Sequence, residues 1–164
     1  MNIIIAGDGK VGSMLTRQLS TEGHNITVID TNARVLEATV ERYDVIGIHG
    51  NCASMDILTE AGVRDADLLI AATSEDEVNL LCCTTAHGMN PKLHTIARIR
   101  NPEYSDQIYK MRDVFGLSMS ISLTPSSLLL RSIRSSTISV RPLANTSRRR
   151  KPGNFSSRSI SEAV

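Results

Sequence analysis

The sequence predicts an α/β fold, a doubly wound parallel sheet in one domain, on three observations. Short apolar, β-branched runs recur along the chain, segments of helical periodicity separate them, and the two alternate strictly. Parallel neighbours require a crossover connection, which each intervening helix supplies. The 164 residues suffice for one domain of ordinary size and hardly for two. With 41% hydrophobic and 21% charged residues, the composition excludes a disordered or fibrous chain for most of its length.

Asn2 to Ala6 reads N-I-I-I-A, the continuous apolar run of a strand buried on both faces. Val11, Met14, Leu15, Gln18 and Leu19 then follow a period near 3.6, predicting an amphipathic helix that ends near Gly23. Ile26 to Ile29 is a strand, Asn32 to Arg42 a helix, Val45 to Ile48 a strand, and Ser54 to Ala61 a short helix closed by Gly62. Leu68 to Ala72 is the fourth strand. Ser74 and Glu77 form a predicted capping box for a helix that runs to about His87 and ends at Gly88. Leu93 to Ile99 is the fifth strand, Asn101 caps a helix with Pro102 in its first turn, and Leu117 to Ile121 is a candidate sixth strand.

The +1 net charge hides an asymmetry. Residues 1 to 117 hold 10 Lys and Arg against 16 Asp and Glu, a net of −6, whereas residues 118 to 164 hold 8 basic residues against Glu162, a net of +7. The later segment also carries 14 serines in 47 residues. We therefore divide the chain into a body, 1–121, and a basic Ser-rich tail, 122–164. The tail reads in three ways. It is disordered, it binds nucleic acid or anionic lipid through Arg148 to Lys151, or it is a frame-shifted remnant. The last reading rests on Pro125 to Leu130, whose back-translation, shifted in frame, gives Glu-Phe-Ala-Ala-Ala; the acidic body argues against the nucleic-acid reading. No apolar run approaches the roughly 20 residues that span a bilayer, and the apolar stretch after Met1 is too short for a signal peptide. A cytosolic location is expected. Cys52, Cys82 and Cys83 suit neither a disulfide framework nor a zinc site, and are expected as reduced, buried residues.

Gly7, Gly9 and Gly12 form G-x-G-x-x-G directly between the first strand and the first helix. Gly7 permits the tight turn, Gly9 admits a pyrophosphate to the backbone, and Gly12 lets the helix lie close on the sheet. The phosphates would then meet the helix N-terminus. Eighteen residues on, Asp30 ends the second strand, where a carboxylate accepts from both ribose hydroxyls of an adenosine and repels a 2′-phosphate. NADP is thus disfavoured, although Arg34 can offset part of that repulsion. Other ligand candidates sit at strand carboxyl ends: Asn51 after strand three, Thr73 and Ser74 after strand four, and Arg98, which shares a face with Arg100 by period two. Asn51 reads equally as a turn residue, Ser74 as a helix cap, and Arg98 as a surface ion pair. Glu75, Asp76 and Glu77 suit a helix start better than a metal site. No histidine has a catalytic partner by spacing and no Tyr-x-x-x-Lys pair occurs, which weighs against a small NAD-dependent oxidoreductase.

The stretches I-I-I-A-G-D-G-K-V-G, I-T-V-I-D, A-D-L-L-I-A-A-T-S-E-D-E-V-N and I-A-R-I-R together resemble the N-terminal domain of TrkA-type potassium-uptake regulators, the RCK or KTN family, over residues 1 to 121. The resemblance implies a Rossmann-like, non-enzymatic regulatory subunit that binds NAD(H), or ATP and ADP. It implies a cytoplasmic position at the inner face of the membrane, docking on a potassium-translocating subunit, and homo-oligomeric assembly without nucleic acid. Carried over by position, the nucleotide contacts fall on Gly7, Asp8, Gly9, Lys10, Val11, Asp30, Asn51, Cys52, Thr73, Ser74 and Arg98. Tyr104, Ile108, Tyr109 and Met111 on the last helix read either as intersubunit contact or as core.

Overall fold

The computed structural model describes residues 1–104, 107, 108, 110 and 119–122. Its elements run β1 (Asn2–Ala6), α1 (Lys10–Thr21), β2 (Asn25–Asp30), α2 (Ala33–Arg42), β3 (Ile46–His49), α3 (Met55–Glu60), a 3-10 turn (Val63–Asp65), β4 (Leu68–Ala71), α4 (Asp76–Met89), β5 (His94–Ile99) and β6 (Met119–Ser122). All pairings are parallel, in the order β3-β2-β1-β4-β5-β6. This is the doubly wound arrangement expected from the alternation.

The alternation of side chains along β1 divides the core. Ile3 and Ile5 pack with Leu15, Leu19 and Leu36 of α1 and α2 on one face, whereas Ile4 and Ala6 join Leu58, Cys82, Cys83 and Ala86 of α3 and α4 on the other. The chain changes sides after β3. The strand order reverses between β1 and β4, so the connections leaving those two strands part and open a crevice at their carboxyl ends.

Most predicted elements lie within a residue or two of the observed ones. β3 and β6 begin later than expected, and two helix ends differ for physical reasons. The capping box at Ser74 and Glu77 does not form: α4 starts one residue later, with Glu75 as its N-cap and no side-chain cap bond. Thr73 takes over the turn, its hydroxyl accepting from the Glu75 N–H at 3.3 Å. At the other end α4 continues through Gly88 to Met89. The Asn90 side chain there donates to the carbonyls of Val63 (3.0 Å) and Arg64 (3.2 Å), tying the helix end to the 3-10 turn. Ile108 belongs to the core, and Tyr104 is half-buried, its hydroxyl donating to Glu77 at 2.8 Å. Tyr109, Met111 and the tail from 123 onward lie outside the described residues. Among the described residues no helix is long and apolar enough to cross a membrane.

Candidate functional site

The crevice holds a cavity of about 370 Å³ lined by Gly7, Gly9, Asp30, Asn51, Cys52, Thr73 and Ser74, seven of the residues singled out from the sequence. Thr31 and Val78, which the sequence reading passed over, line it as well, as do Gly50, beside Asn51, and Glu75, read there as part of a helix start. Lys10, Val11, Gly12, Asp8 and Arg98 are not in its lining. Arg34 borders a different hollow, between α1 and α2, with Arg42, Ser13 and Tyr43. Arg98 is half-buried, and it is its backbone carbonyl that is engaged, by Asn79.

The glycines act in distinct ways. Gly7 has φ +95°, and a Cβ there would come within 2.8 Å of the Thr73 backbone, so glycine lets the two crevice loops touch main chain to main chain. A Cβ on Gly12 would fall 1.7 Å from the Gly7 carbonyl oxygen, so helix α1 seats on the loop only without one. At Gly9 a Cβ would meet no protein atom within 4 Å. The fold therefore does not demand glycine there, and the open space lies on a residue that lines the cavity. Gly9 is the N-cap of α1 and offers no side chain to its first turn, which carries Lys10 and no acid. Those N–H groups are left for an anion.

Asp30 is fixed from both sides. Its Oδ2 accepts from the Asp8 N–H at 2.6 Å and its Oδ1 from the Asn32 N–H at 2.7 Å, which holds the carboxylate against the glycine loop. Each oxygen keeps a further lone pair, enough for two hydroxyl donors. Asn51 accepts from the Ala53 N–H at 3.0 Å through its Oδ1, so its side chain shapes the β3 turn while lining the cavity.

Asp8 lies beneath the loop, 2% exposed, and neither of its carboxylate oxygens makes a hydrogen bond among the described residues. Burial pushes its carboxyl above the ordinary value; the nearby Thr39 hydroxyl pulls it partly back, and the Asp30 charge adds to the rise. Asp8, singled out from the sequence as a ligand contact, thus has its side chain buried and lies outside the cavity lining.

Two residues of α4 that the sequence reading did not single out for this role build the opposite wall. Asn79, fully buried, accepts through Oδ1 from the Thr73 N–H (2.8 Å) and hydroxyl (2.7 Å) and donates through Nδ2 to the Arg98 carbonyl (2.8 Å). Asp76 accepts from the N–H groups of Arg100 and Asn101 at 2.7 Å each, with the Arg100 Nε at 3.4 Å. Burial raises the Asp76 carboxyl, and the Asn101 and Arg100 donors more than offset this, leaving it below the usual range. The signal in the sequence is a polar pair at i, i+3 within a helix whose next turn, Leu80 to Cys83, is apolar.

The TrkA-N domain family model matches residues 3–117. The chain belongs to the TrkA-N domain family. Among curated TrkA-N relatives, the Trk system potassium uptake protein TrkA of Vibrio alginolyticus is 41% identical over 104 residues, 63% of this chain and 23% of that protein. The TrkA homolog of Pyrococcus abyssi is 31% identical over 123 residues, 73% of this chain and 54% of that protein. The chain thus spans about a quarter to a half of the length of these relatives.

Solved structures share the TrkA-N fold. The TrkA-N domain of the Escherichia coli inner membrane protein ybaL superposes with TM-score 0.66 at 22% identity, covering 82% of this chain and 95% of that one. A Shewanella denitrificans Kef CTD in its AMP-bound form gives 0.65 at 25%, covering 87% and 84%. The GsuK channel bound to NAD gives 0.63 at 20%, covering 73% and 21%.

Proposed function

We propose that this chain is the adenine-nucleotide-sensing domain of a cytoplasmic, non-enzymatic regulatory subunit that gates a membrane potassium-translocating partner. The observation that carries the reading is the pairing of Asp30 with the open face of Gly9 across one cavity. Asp30 accepts from the two ribose hydroxyls, and the first-turn N–H groups of α1 with Lys10 bind the phosphates. Thr73 and Ser74 close the wall that Asn79 supports. The family membership, the potassium-uptake relatives and neighbours solved with AMP and NAD support the same ligand class. NAD(H) is the first candidate and ATP or ADP the second, since Asp30 addresses the ribose common to all of them.

Gating requires that the nucleotide bind one arrangement of assembled domains better than another. The partners in that assembly are further copies of this chain and the potassium-translocating subunit. Ligands that differ in charge or phosphate number are discriminated at the α1 N-terminus and by any movement of Arg98 toward the crevice.

Calorimetric titration with NADH, NAD, ATP, ADP and NADPH tests this. One or more of the first four should bind, NADPH should bind at least about tenfold more weakly than NADH, and Asp30→Ala should lose about tenfold or more, as expected for two hydrogen bonds to a charged acceptor. Because Asp30 also anchors the Asp8 and Asn32 N–H groups, a thermal melt of the variant separates lost binding from a loosened loop. Absence of binding by all five to the wild-type chain would overturn the reading, and hydride transfer from bound NADH would replace it with the oxidoreductase one.

A further inference from the structure

The crevice has two sides. Because β1 lies between β2 and β4, Asp30 ends the strand on one side of Gly7, while Thr73, Ser74 and Glu75 follow the strand on the other, all lining one cavity. A nucleotide with its ribose on Asp30 and its first phosphates on the α1 N-terminus runs its next group onto the Thr73 to Glu75 side. The hydrogen bonds there determine what that group must be.

The Thr73 hydroxyl has one proton and two lone pairs. Asn79 accepts through Oδ1 from the Thr73 N–H at 2.8 Å and donates through Nδ2 to the Arg98 carbonyl at 2.8 Å, which fixes the orientation of its amide. The hydroxyl, 2.7 Å from the same Oδ1, therefore gives its proton to Asn79. One lone pair accepts from the Glu75 N–H at 3.3 Å, and one is left for the cavity. Thr73 thus meets a ligand as an acceptor, with its own N–H already spent.

Helix α4 starts on this side, and its N-terminus is the reverse of that of α1. The first turn of α1 carries Lys10 and no acid, whereas α4 has Glu75 as N-cap and Asp76 and Glu77 in its first turn, acids that offset the partial positive charge of the helix end. Asp76 is held by the Arg100 and Asn101 N–H groups, and Glu77 accepts from the Tyr104 hydroxyl. The exposed Glu75 carboxylate makes no hydrogen bond or ion pair among the described residues, and Glu75 is the one of the three acids that lines the cavity. No Lys or Arg among the described residues shares that lining; the Ser74 hydroxyl, which can donate or accept, does not discriminate.

We propose that Glu75 and the Thr73 hydroxyl are the specificity-determining pair that rejects a terminal phosphate and selects a ligand whose second phosphate is esterified to a polyol, a dinucleotide in preference to ADP or ATP. This assignment rests on the nucleotide reading above and deepens it. Acceptors at Asp30, N–H donors at the α1 N-terminus and acceptors again at Thr73 and Glu75 match the order diol, diphosphate, diol. A second ribose brings hydroxyl donors to the last of these. A terminal phosphate brings negative charge and no donor, against a carboxylate and a lone pair.

The test is calorimetric titration of the full chain and of Glu75→Gln with NADH, AMP, ADP and ATP, with a chelator present so that no divalent cation bridges phosphate and carboxylate. The wild-type protein should bind NADH more tightly than ADP or ATP. In Glu75→Gln, the affinities for ADP and ATP should rise relative to NADH by about three- to tenfold, the scale of one charge several ångströms from a phosphate in a partly solvated site. AMP, whose phosphate stays at α1, should bind both proteins alike. Glu75 is exposed, so the substitution spares the core. ADP or ATP binding the wild-type protein as tightly as NADH, or an unchanged ratio in the variant, would overturn this assignment while the nucleotide reading stands. Absence of binding by all four to the wild-type protein would overturn both.

Discussion

Asp8 carries a carboxyl beneath the glycine loop with no hydrogen bond among the described residues, and burial holds its titration above the ordinary value of 3.8. An acid whose folded value is raised binds its proton more tightly folded than unfolded, so stability falls as pH rises from 3.8 through the raised folded value. At neutral pH the ionised group is a net cost. Asp8→Ala is therefore expected to stabilise the protein by about 1 kcal/mol at pH 7, the scale of an unsatisfied buried polar group. The gain should shrink as pH falls toward 4. Chemical denaturation of both proteins at several pH values checks this, and a destabilised variant at pH 7 would show that the carboxyl bonds something essential in the loop. Gly7 and Gly12 bear the opposite kind of constraint, since no side chain can be added at either without moving backbone. Among the three motif glycines, Gly9 is the one whose lack of a side chain the fold leaves unexplained, which is what the proposed phosphate contact requires of it.

Helix α4 shows how one element fixes a site wall. Asp76 and Asn79 sit on its sheet-facing side and bind the backbone where β4 and β5 end, so the helix position sets the Thr73 loop and the turn after Ile99 together. The Asp76 carboxyl titrates below 3.8 in the folded state, so its stabilising contribution is present above the unfolded value and is lost as pH falls through the lower folded one. Asp76→Asn should cost about 1–3 kcal/mol at neutral pH, because the amide keeps one acceptor while two N–H groups and a guanidinium lose a charged one. The deficit should vanish in acid below the folded value; a deficit that persists there would point to packing. These contacts also mark where the sequence became illegible. β1 and β2 were legible because strands buried on both faces need unbroken apolar runs, and the Gly7 to Asp30 half of the site because glycine spacing and a strand-end acid have few other uses. Thr73 and Ser74 were legible as residues at a strand end, but the support of their wall was not, because Asn79 and Asp76 act on main-chain groups up to 25 residues away, a long-range pairing without local periodicity. Ser74 and Glu77 matched a capping pattern, but α4 starts one residue later than that pattern predicts, and Asn79 accepts from the Thr73 N–H and hydroxyl instead.

At the scale of the whole molecule, the cavity lies on the seam between the two halves of the sheet, with Gly7, Asp30 and Asn51 from one half and Thr73 and Ser74 from the other. The two halves are already joined there by the β1–β4 ladder and by the contact of Gly7 with the Thr73 backbone. A ligand spanning the seam therefore adds to contacts that are lost only when both halves come apart, and its binding free energy appears as global stability. A nucleotide at a hundred times its dissociation constant adds about 2.7 kcal/mol, which for a domain of this size raises the melting temperature by roughly 8–11 °C. We expect NADH to shift a single cooperative transition by that amount, with slowed amide exchange at the carboxyl ends of β1, β2 and β4 together. Under matched concentrations NADPH should shift it less, since in the proposed pose its 2′-phosphate would face the Asp30 carboxylate. A shift confined to an early, partial transition, or exchange protection limited to the Gly7 to Val11 loop, would mean that the ligand closes one loop without bridging the halves. In that case the gating proposed above would have to proceed through the loop alone.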